Sequence, residues 1–419
     1  MKKLWIAPLF ASLLLLGSGG WAEAGALKGE NPGPARAVRP AAAEKNASRK
    51  EAFRTYKTAG AAGPLIEVGL LSGQKEVRLQ CLSDTEAEAG GKTLGRYKKG
   101  ETLSVSRSGK EIVLNGKKKA GPIYLRGKDG AAAFAVKGNS YRGSMKLIPS
   151  AYAGGVTVVN ALPLEEYLLG VVPSEVSPSW HEDALRAQAV AARTYAVYHK
   201  DGYRSAGYDV TDDTRSQVYR GVSVESASSS RAVRATAGEV VTYGGRPIEA
   251  LFHANGGGYT ENSENVWGST VPYLRGVAEE SSPEVTRPWT KTVSLSSFEQ
   301  AAGVGKLKKI GLSKLKKGPV KAKDRGISGR VLSIALTGNK GKKTLSGSAM
   351  QSLFGLPSTL FDLQLKGKQV VITGYGSGHG LGLSQWGAEA MAARHGNGKD
   401  YYKTILTHYF TGTKVEKIY

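Results

Sequence analysis

Residues 163–200, with the sequence PLEEYLLGVVPSEVSPSWHEDALRAQAVAARTYAVYHK, constrain the fold more than any other part of the chain. The pattern predicts two helices joined by a short turn. Pro163 suits the start of a helix, and residues 164–171 are mostly apolar, so we expect a short, largely buried first helix. Pro173 should end this helix, because proline lacks the amide hydrogen that a helix interior needs.

The second helix is predicted from residue 180 to residue 200. Ser179 and Glu182 match a capping box at its start. One face of this helix is a stripe of small or aliphatic residues, which allows close packing against a neighbour. The members of the stripe are Leu185, Ala189, Ala192 and Ala196.

A single carboxylate, Glu175, lies in the turn between the two predicted helices. Two interpretations are open at this point. Glu175 is either a solvated loop residue or helix cap, or a general acid whose pKa is raised by the apolar neighbours Val172, Val176 and Trp180. Spacing alone does not decide between them.

The N-terminus has the pattern of a secretory signal peptide. Lys2 and Lys3 precede an apolar core at residues 4–16, and a glycine-rich stretch at residues 17–20 and the triplet Ala22, Glu23, Ala24 follow it. We expect cleavage after Ala24 and an exported protein. An uncleaved membrane anchor is the less favoured alternative, because the apolar core is short for a spanning helix.

The chain is strongly basic, with a formal net charge of +23 and a sequence pI of about 9.8. Nucleic acid is one class of partner for such a protein. The export signal argues against nucleic acid and favours an anionic extracellular polymer or a lipid surface. The alternative is that the charge only keeps the protein soluble. The single cysteine, Cys81, cannot form an internal disulfide.

Residues 25–63 are rich in Ala, Pro, Lys and Gly, which predicts a disordered linker. From residue 64 to residue 160 the pattern indicates a small β domain that leads into the first helix. Lys117 to Lys119 are predicted to form a solvated turn. Strands are predicted at residues 65–71, 77–82, 103–105, 112–114, 123–125, 134–136 and 156–159.

His253, Glu261 and Glu264 are close enough in sequence to suggest a metal site. His181 also begins a zincin-like pattern, but Leu185 stands where the second histidine should be. We therefore predict no metal and no cofactor.

The C-terminal block contains alternating glycines at residues 374–382, which fit no register of a dinucleotide-binding loop. Such glycines leave one face of an extended segment bare for a ligand or another backbone. His379 within them has either a binding or a structural role. Ser384 can cap the helix that carries Gln385 and Trp386, and the Trp386 indole can stack on a sugar ring or fill the core.

Six blocks occur in an order that resembles the SpoIID/LytB family of bacterial cell-wall proteins. They are PLEEYLLGVVPSEV, ALRAQAVAARTYAV, DVTDDTRSQVYRG, FHANGGGYTENSENVWG, PYLRGV and GYGSGHGLGLSQWGAEAMA. The family includes lytic transglycosylases resembling stage II sporulation protein D and LytB-type amidase enhancers. Some members use a histidine near the fourth block with cysteines as zinc ligands. Cys81 lies far outside that block, so such a site cannot form here.

The resemblance implies an α+β fold in which a β-rich N-terminal subdomain precedes a mixed α/β catalytic body with a cleft. The segments that we predict are a signal peptide (1–24), a linker (25–63), a β-rich part (64–160), a catalytic core (161–285), a lysine-rich α/β insertion (286–365) and a C-terminal block that completes the cleft (366–419).

The function that the resemblance implies is lytic transglycosylation of peptidoglycan at the cell wall, with Glu175 as the catalytic acid. One carboxylate suffices, because it can protonate the glycosidic oxygen and then take the proton of the muramic acid 6-hydroxyl. The expected partners are glycan strands, with anionic wall polymers and an amidase as further candidates. The residues expected to bind substrate are Arg193, Gln217, Tyr219, His253, Tyr273, Arg275, His379, Gln385 and Trp386.

The sequence leaves the environment of Arg193 and the role of Arg275 undecided. Arg193, among small apolar residues, should face either the cleft or a buried carboxylate. At position 275 the family pattern leads us to expect lysine, and Arg275 keeps the charge but changes the geometry. Two other functions remain alternatives to catalysis: a non-catalytic wall-binding enhancer of an amidase, and a structural adaptor.

Overall fold

The computed structural model describes residues 63–128, 133–151, 154–316 and 318–419. The predicted signal peptide and, except for Gly63, the predicted linker lie outside the described residues. The N-terminal strands are β1 (Leu65–Gln74), β2 (Glu76–Cys81), β3 (Thr85–Ala89), β4 (Lys92–Tyr97), β5 (Thr102–Ser108), β6 (Glu111–Leu114), β7 (Lys117–Ala120), β8 (Ile123–Gly127), β9 (Phe134–Val136), β10 (Asn139–Tyr141), β11 (Ser144–Pro149) and β12 (Val156–Pro163).

Helices and further strands alternate in the rest of the chain. The helices are α1 (Leu164–Glu175), α2 (Glu182–Tyr198), α3 (Ala227–Ala235), α4 (Ser263–Trp267), α5 (Leu295–Ala302), α6 (Gly347–Phe354), α7 (Gln385–His395) and α8 (Tyr401–Tyr409). The strands are β13 (Val210–Thr211), β14 (Glu239–Tyr243), β15 (Arg246–Pro247), β16 (Phe252–His253), β17 (Pro288–Ser294), β18 (Leu307–Gly311), β19 (Ser333–Gly338), β20 (Gly341–Ser346), β21 (Phe361–Lys366), β22 (Gln369–Tyr375), β23 (Leu383–Ser384) and β24 (Lys414–Lys417). The fold is thus mixed α and β with a β-rich N-terminal region, as predicted.

The N-terminal region consists of two sheets that share one apolar core. The first sheet has the strand order β13-β1-β12-β11-β8-β3-β4, and the second has the order β10-β9-β2-β5-β6-β7. Inward-facing residues of both sheets, such as Val68 and Leu79, are fully buried in the same cluster. Alternation of apolar and polar residues along each strand produces this arrangement, because successive side chains point to opposite faces.

All seven strands predicted for this region are confirmed, and five others were not predicted. The additional strands include β3 (TEAEA) and β7 (KKKA), whose residues favour strands only weakly. Pairing with neighbours holds them in the sheets. Lys117 to Lys119 therefore lie in an exposed strand paired with β6, and the predicted turn at these residues was wrong.

Strand β12 connects the sheets to the helix pair. Its residues from Val156 to Leu162 are buried on both faces, because Val158 faces the core shared with the second sheet and Val159 packs against Ala206 and Tyr208 on the other side. The chain passes directly from β12 into α1 at Leu164, as predicted.

Pro173 does not end the first helix, contrary to the prediction. Helix α1 continues to Glu175, with Pro173 inside its last turn. A proline at position 173 cannot donate to the carbonyl of Leu169, and the Ser174 hydroxyl donates to the neighbouring Gly170 carbonyl at 2.7 Å. Glu175 is therefore the last helical residue, where we had placed it in a turn.

The capping box predicted for the second helix was also wrong. Helix α2 starts at Glu182, and the cap is His181, whose Nδ1 accepts a hydrogen bond from the Asp183 amide at 3.1 Å. The Ser179 hydroxyl instead lies 2.8 Å from the Ser177 hydroxyl. The helix ends at Tyr198, two residues earlier than predicted.

Arg193 on α2 holds several elements together from inside the core. Its side chain is fully buried and donates two hydrogen bonds of 2.7 Å to the two carboxylate oxygens of Glu165 on α1. It also donates to the Val233 carbonyl and to the Glu239 carbonyl, both at 3.1 Å. The C-terminal Tyr419 donates to the same carboxylate at 2.5 Å.

The C-terminal half contains two further apolar clusters. One joins α2 to α7 and α8 and includes Leu383, Leu406 and Phe410. The other lies between α5, α6 and two three-stranded sheets, with the strand orders β17-β22-β21 and β18-β19-β20. Among the described residues, no helix is both long and apolar enough to cross a membrane.

We predict that Arg193→Met lowers the free energy of unfolding by about 3–5 kcal/mol, because it leaves the Glu165 carboxylate buried without its cation. The matched control is Arg215→Met. Arg215 forms an exposed ion pair with Asp213, and its loss should cost at most about 1 kcal/mol. Urea denaturation measures both values. Equal effects for the two variants would contradict the structural role of Arg193.

Candidate functional site

Glu175 projects from the end of α1 into a partly buried position. Its Oε1 accepts a hydrogen bond of 2.7 Å from the Val218 amide, and the Gln385 side chain also hydrogen-bonds to it. Burial raises the pKa of Glu175, and the two hydrogen bonds offset part of this effect. A carboxyl group that tends to keep its proton is suited to donate it to a substrate.

Gln217 and Tyr219 hold the loop that supplies the Val218 amide. Gln217 is fully buried; its Oε1 accepts from the Tyr167 hydroxyl at 3.3 Å and its Nε2 donates to the Ala192 carbonyl at 3.2 Å. Tyr219 is buried against Tyr167 and donates to the Asn160 side chain at 2.9 Å. Both residues were predicted to bind substrate, and the structure shows that both are buried with their polar groups hydrogen-bonded within the protein.

Two histidines face each other beside the parallel strand pair β16 and β23. The rings of His253 and His379 are 5.3 Å apart. His379 is exposed; its Nδ1 accepts from the Leu381 amide at 3.0 Å, so its Nε2 carries the proton and donates to the Phe252 carbonyl at 3.1 Å. His253 is buried and donates from Nδ1 to the Leu381 carbonyl at 3.1 Å. Because a carbonyl oxygen only accepts, the proton of this imidazole is on Nδ1.

Burial favours the neutral form of the His253 imidazole. Burial lowers the pKa of His253 well below its usual range, and the neighbouring His379 and Arg330 add to this shift. The Nε2 atom of His253 is buried without a hydrogen-bond partner among the described residues.

Glu279, a partly buried residue to which no sequence pattern points, connects the glycine-rich loop at residues 256–258 to the C-terminal block. Its oxygens accept hydrogen bonds from the amides of Gly256 at 3.2 Å and Gly258 at 2.6 Å, and from the Ser384 hydroxyl. The fully buried Arg330 neighbours this carboxylate and donates to the Gly256 carbonyl at 3.1 Å. Neither residue belongs to a recognisable motif, so no sequence signal identifies them.

Ser384 caps α7, as predicted, and thereby places Gln385 and Trp386. Its hydroxyl accepts from the Gly387 amide at 3.3 Å and also from the Gly256 amide at 3.1 Å. The Gly256 loop and the start of α7 are therefore joined at one atom. This contact keeps Gln385 in reach of Glu175.

A pocket of about 250 Å³ lies beside Trp386. The Trp386 ring packs against Trp180 from the turn after Glu175, with ring centres 4.8 Å apart. A second indole, Trp289, is fixed by a 3.0 Å hydrogen bond to the Gly376 carbonyl. The remaining lining residues are Ala254, Asn255, Glu284, Arg287, Pro288, Gly376 and Ser377.

Three of the predicted binding residues have their polar groups engaged elsewhere. Arg193 is fully buried and faces the Glu165 carboxylate, which was one of its two expected environments. Arg275 forms two hydrogen bonds of 2.6 and 2.7 Å with Glu264. Tyr273 accepts from the Glu249 amide at 3.2 Å. The structure does not bring these three together with Glu175.

The suggested metal ligands do not converge. Glu264 is bound to Arg275, and Glu261 accepts hydrogen bonds from the Ser328 amide and hydroxyl. The described part of the chain contains no group of three or more His, Cys, Asp or Glu side chains arranged to hold a metal ion.

We predict that Glu175→Gln raises the melting temperature at about pH 7 and leaves it almost unchanged below about pH 4. The folded-state pKa of Glu175 is raised, so the stability contributed by its protonated form is complete below the unfolded pKa and is lost as the pH rises through the folded pKa. Calorimetry across this range measures the difference.

The control for this measurement is Glu264→Gln, which should have the opposite effect near neutral pH. Arg275 lowers the pKa of Glu264. The contribution of Glu264 to stability is therefore present above the unfolded pKa and is lost as the pH falls through the folded pKa. A destabilising effect of Glu175→Gln at neutral pH would contradict the raised pKa of Glu175.

The comparisons with known proteins agree with the blocks found in the sequence. A family model described as Stage II sporulation protein matches residues 152–243, and one described as Domain of unknown function (DUF8618) matches residues 277–382. The chain is 31% identical to the Amidase enhancer of Bacillus subtilis over 59% of this chain and 40% of that protein.

Two relatives are matched over most of their length. An uncharacterized protein of Brachyspira hyodysenteriae is 36% identical over 67% of this chain and 74% of that protein. Stage II sporulation protein D of Bacillus subtilis is 35% identical over 62% of this chain and 76% of that protein. Because the identity extends over about three quarters of each of these relatives, the chain belongs to the SpoIID/LytB family.

Proposed function

We propose that this protein is an exported lytic transglycosylase that cleaves peptidoglycan between N-acetylmuramic acid and N-acetylglucosamine. The observation that carries the proposal is Glu175, a partly buried carboxyl group with a raised pKa that is hydrogen-bonded to Gln385, the residue next to the pocket-lining Trp386. The similarity to Stage II sporulation protein D supports a role in cell-wall remodelling linked to sporulation. Residues 1–24 would direct the protein out of the cell.

The proposed reaction needs one carboxyl group and no water. Protonated Glu175 donates its proton to the glycosidic oxygen as the bond to the anomeric carbon breaks and positive charge develops on the sugar ring. The resulting carboxylate then takes the proton of the 6-hydroxyl, whose oxygen attacks the anomeric carbon. The products are a 1,6-anhydromuramic acid end and a free 4-hydroxyl, and Glu175 regains its proton.

The surroundings of Glu175 suit both halves of this cycle. Burial favours the protonated form that must donate, while the Val218 amide and Gln385 stabilise the carboxylate that forms next. The raised pKa arises from burial and not from the repulsion of a second carboxylate that a hydrolase would use.

The pocket beside Trp386 is the proposed place for one sugar ring of the glycan. An indole offers a flat apolar face to the axial hydrogens of a pyranose, and the polar groups of Asn255 and Arg287 lie at the same pocket. Exposed His379 donates from Nε2 to a backbone carbonyl, so we assign it a supporting role at the rim rather than proton transfer.

A second candidate function is the enhancement of an amidase without catalysis. The similarity to the Amidase enhancer of Bacillus subtilis favours this alternative. An enhancer would bind the glycan and an amidase through the same surfaces, and Glu175 would then serve only as a hydrogen-bond acceptor for the Val218 amide.

We predict that the protein releases anhydromuramyl products from purified peptidoglycan and that Glu175→Gln reduces the rate by at least about 100-fold. The magnitude follows from the loss of general acid catalysis. Mass spectrometry of the soluble products identifies the chemistry. Intact peptidoglycan and peptidoglycan stripped of stem peptides should both be tested.

The stability control for this experiment is the calorimetry described above, which shows whether Glu175→Gln remains folded. Reducing-end products would contradict the transglycosylase and indicate a hydrolase. No products from either substrate, together with retained binding to peptidoglycan, would favour the enhancer.

We predict that Trp386→Ala weakens binding to soluble glycan strands by about tenfold, the effect of losing about 1.4 kcal/mol of stacking and burial. The matched control is Trp267→Ala, because Trp267 is exposed on α4 and does not line the pocket. Both changes are made in the Glu175→Gln protein, so that the glycan stays intact during titration. Equal affinities of the two variants for the glycan would show that the pocket beside Trp386 does not contribute to glycan binding.

A further inference from the structure

The segment between Gly303 and Leu345 carries an unusual excess of positive charge. It contains eleven lysines and two arginines but one acidic residue, Asp324. Every one of these lysines that the structure describes is exposed. The described part of the chain shows no ion pair for any of them.

The three-stranded sheet β18-β19-β20 carries five of these lysines on or next to its outer surface. Its inner side is apolar, because Ile334 and Leu336 of the central strand are fully buried. On the opposite side, Lys309, Thr337 and Lys342 lie next to one another across the three strands. We name the following set the lysine face: Lys306, Lys308, Lys309, Lys340 and Lys342.

Hydrogen bonds join the start of β18 to the turn between β19 and β20. The Asn339 amide donates to the Lys306 carbonyl at 3.0 Å, and the Asn339 side chain accepts from the Lys306 amide at 2.8 Å. A bulge in β18 places Lys308 as an extra residue between Leu307 and Lys309. The fold thus brings the backbone of Lys306 and Lys308 close to the turn between β19 and β20 that carries Lys340.

Among the described residues, no nearby carboxylate forms an ion pair with the lysine face. Glu299 accepts from the Leu307 amide at 2.6 Å, and Asp324 accepts from the Ser313 amide at 2.6 Å. Asp362 is paired with Arg325. Unpaired cations held this close together repel one another, so a bound polyanion would relieve this repulsion.

We propose that the lysine face binds a linear phosphodiester polymer of the cell wall while the site around Glu175 holds the glycan. That the partner is a cell-wall polymer rests on the proposed function at the cell wall. The chemistry favours a polymer of repeated phosphates, because a row of ammonium groups offers repeated point charges.

The composition of the sheet argues against two other polyanionic partners. Strands β18, β19 and β20 contain no aromatic side chain on which nucleic acid bases could stack. Among the described residues, the large exposed apolar side chains all lie outside this sheet, so the lysine face lacks the residues that insert into a membrane.

The test measures binding of the full-length Glu175→Gln protein to purified Bacillus subtilis sacculi, either with their phosphodiester polymers or after removal of these polymers with hydrofluoric acid. Binding should be at least about tenfold tighter to the untreated sacculi and should weaken steeply with added salt. The double substitution K309E/K342E should abolish this preference. The control K117E/K118E makes the same change of charge on exposed strand β7 and should retain it.

Equal binding to both kinds of sacculi would overturn the proposal, as would equal effects of the two double substitutions. Soluble poly(glycerol phosphate) should displace the protein, and stronger displacement by phosphatidylglycerol vesicles or by RNA would also overturn it. The wild-type protein is assayed separately for anhydromuramyl products on the stripped sacculi. If the protein releases anhydromuramyl products but binds both kinds of sacculi equally, only the proposed role of the lysine face is refuted. If it prefers sacculi that retain their polymers but releases no products, only the proposed transglycosylase activity is refuted.

Discussion

The buried ion pair between Arg193 and Glu165 is the interaction on which the site depends. It joins α1 to α2, and the other donors of Arg193 reach α3 and β14. Isolated charges are unfavourable in a protein interior, so each partner requires the other to remain buried. The pair fixes the helix whose last residue is Glu175, and a side chain expected to bind substrate has instead a structural role.

Glu175 is then oriented by two parts of the chain that are distant in sequence. The loop around Val218 is held by buried Gln217 and Tyr219, and Gln385 approaches from the start of α7. The second approach depends on Ser384 and Glu279, which attach the Gly256 loop to the C-terminal block. Buried hydrogen bonds of this kind are costly to break, because the groups left behind have no water to replace them. They give the site a rigid support around one partly buried carboxyl group.

The proposed glycan site and the lysine face present different chemistry. The pocket beside Trp386 is lined by two indoles and has few charged side chains. The sheet β18-β19-β20 instead carries lysines without ion pairs, and the outward-facing side chains of its central strand β19 are small. A neutral sugar ring suits the first and a polymer of phosphates suits the second. The lysine face is therefore distinct in composition from the residues around Glu175.

The sequence by itself determined the mixed fold, the β-rich N-terminal region, the helix pair and Glu175 as the candidate acid. These features follow from periodicity and from ordered blocks, which are local in the chain. Only the tertiary structure decided that Pro173 lies inside α1, that weak strand formers such as β7 complete a sheet, and that Arg193 and Gln217 are buried. It alone identified Glu279 and Arg330. The physical reason is that burial, hydrogen bonding and pairing between distant segments depend on the packed chain, and no local pattern encodes them.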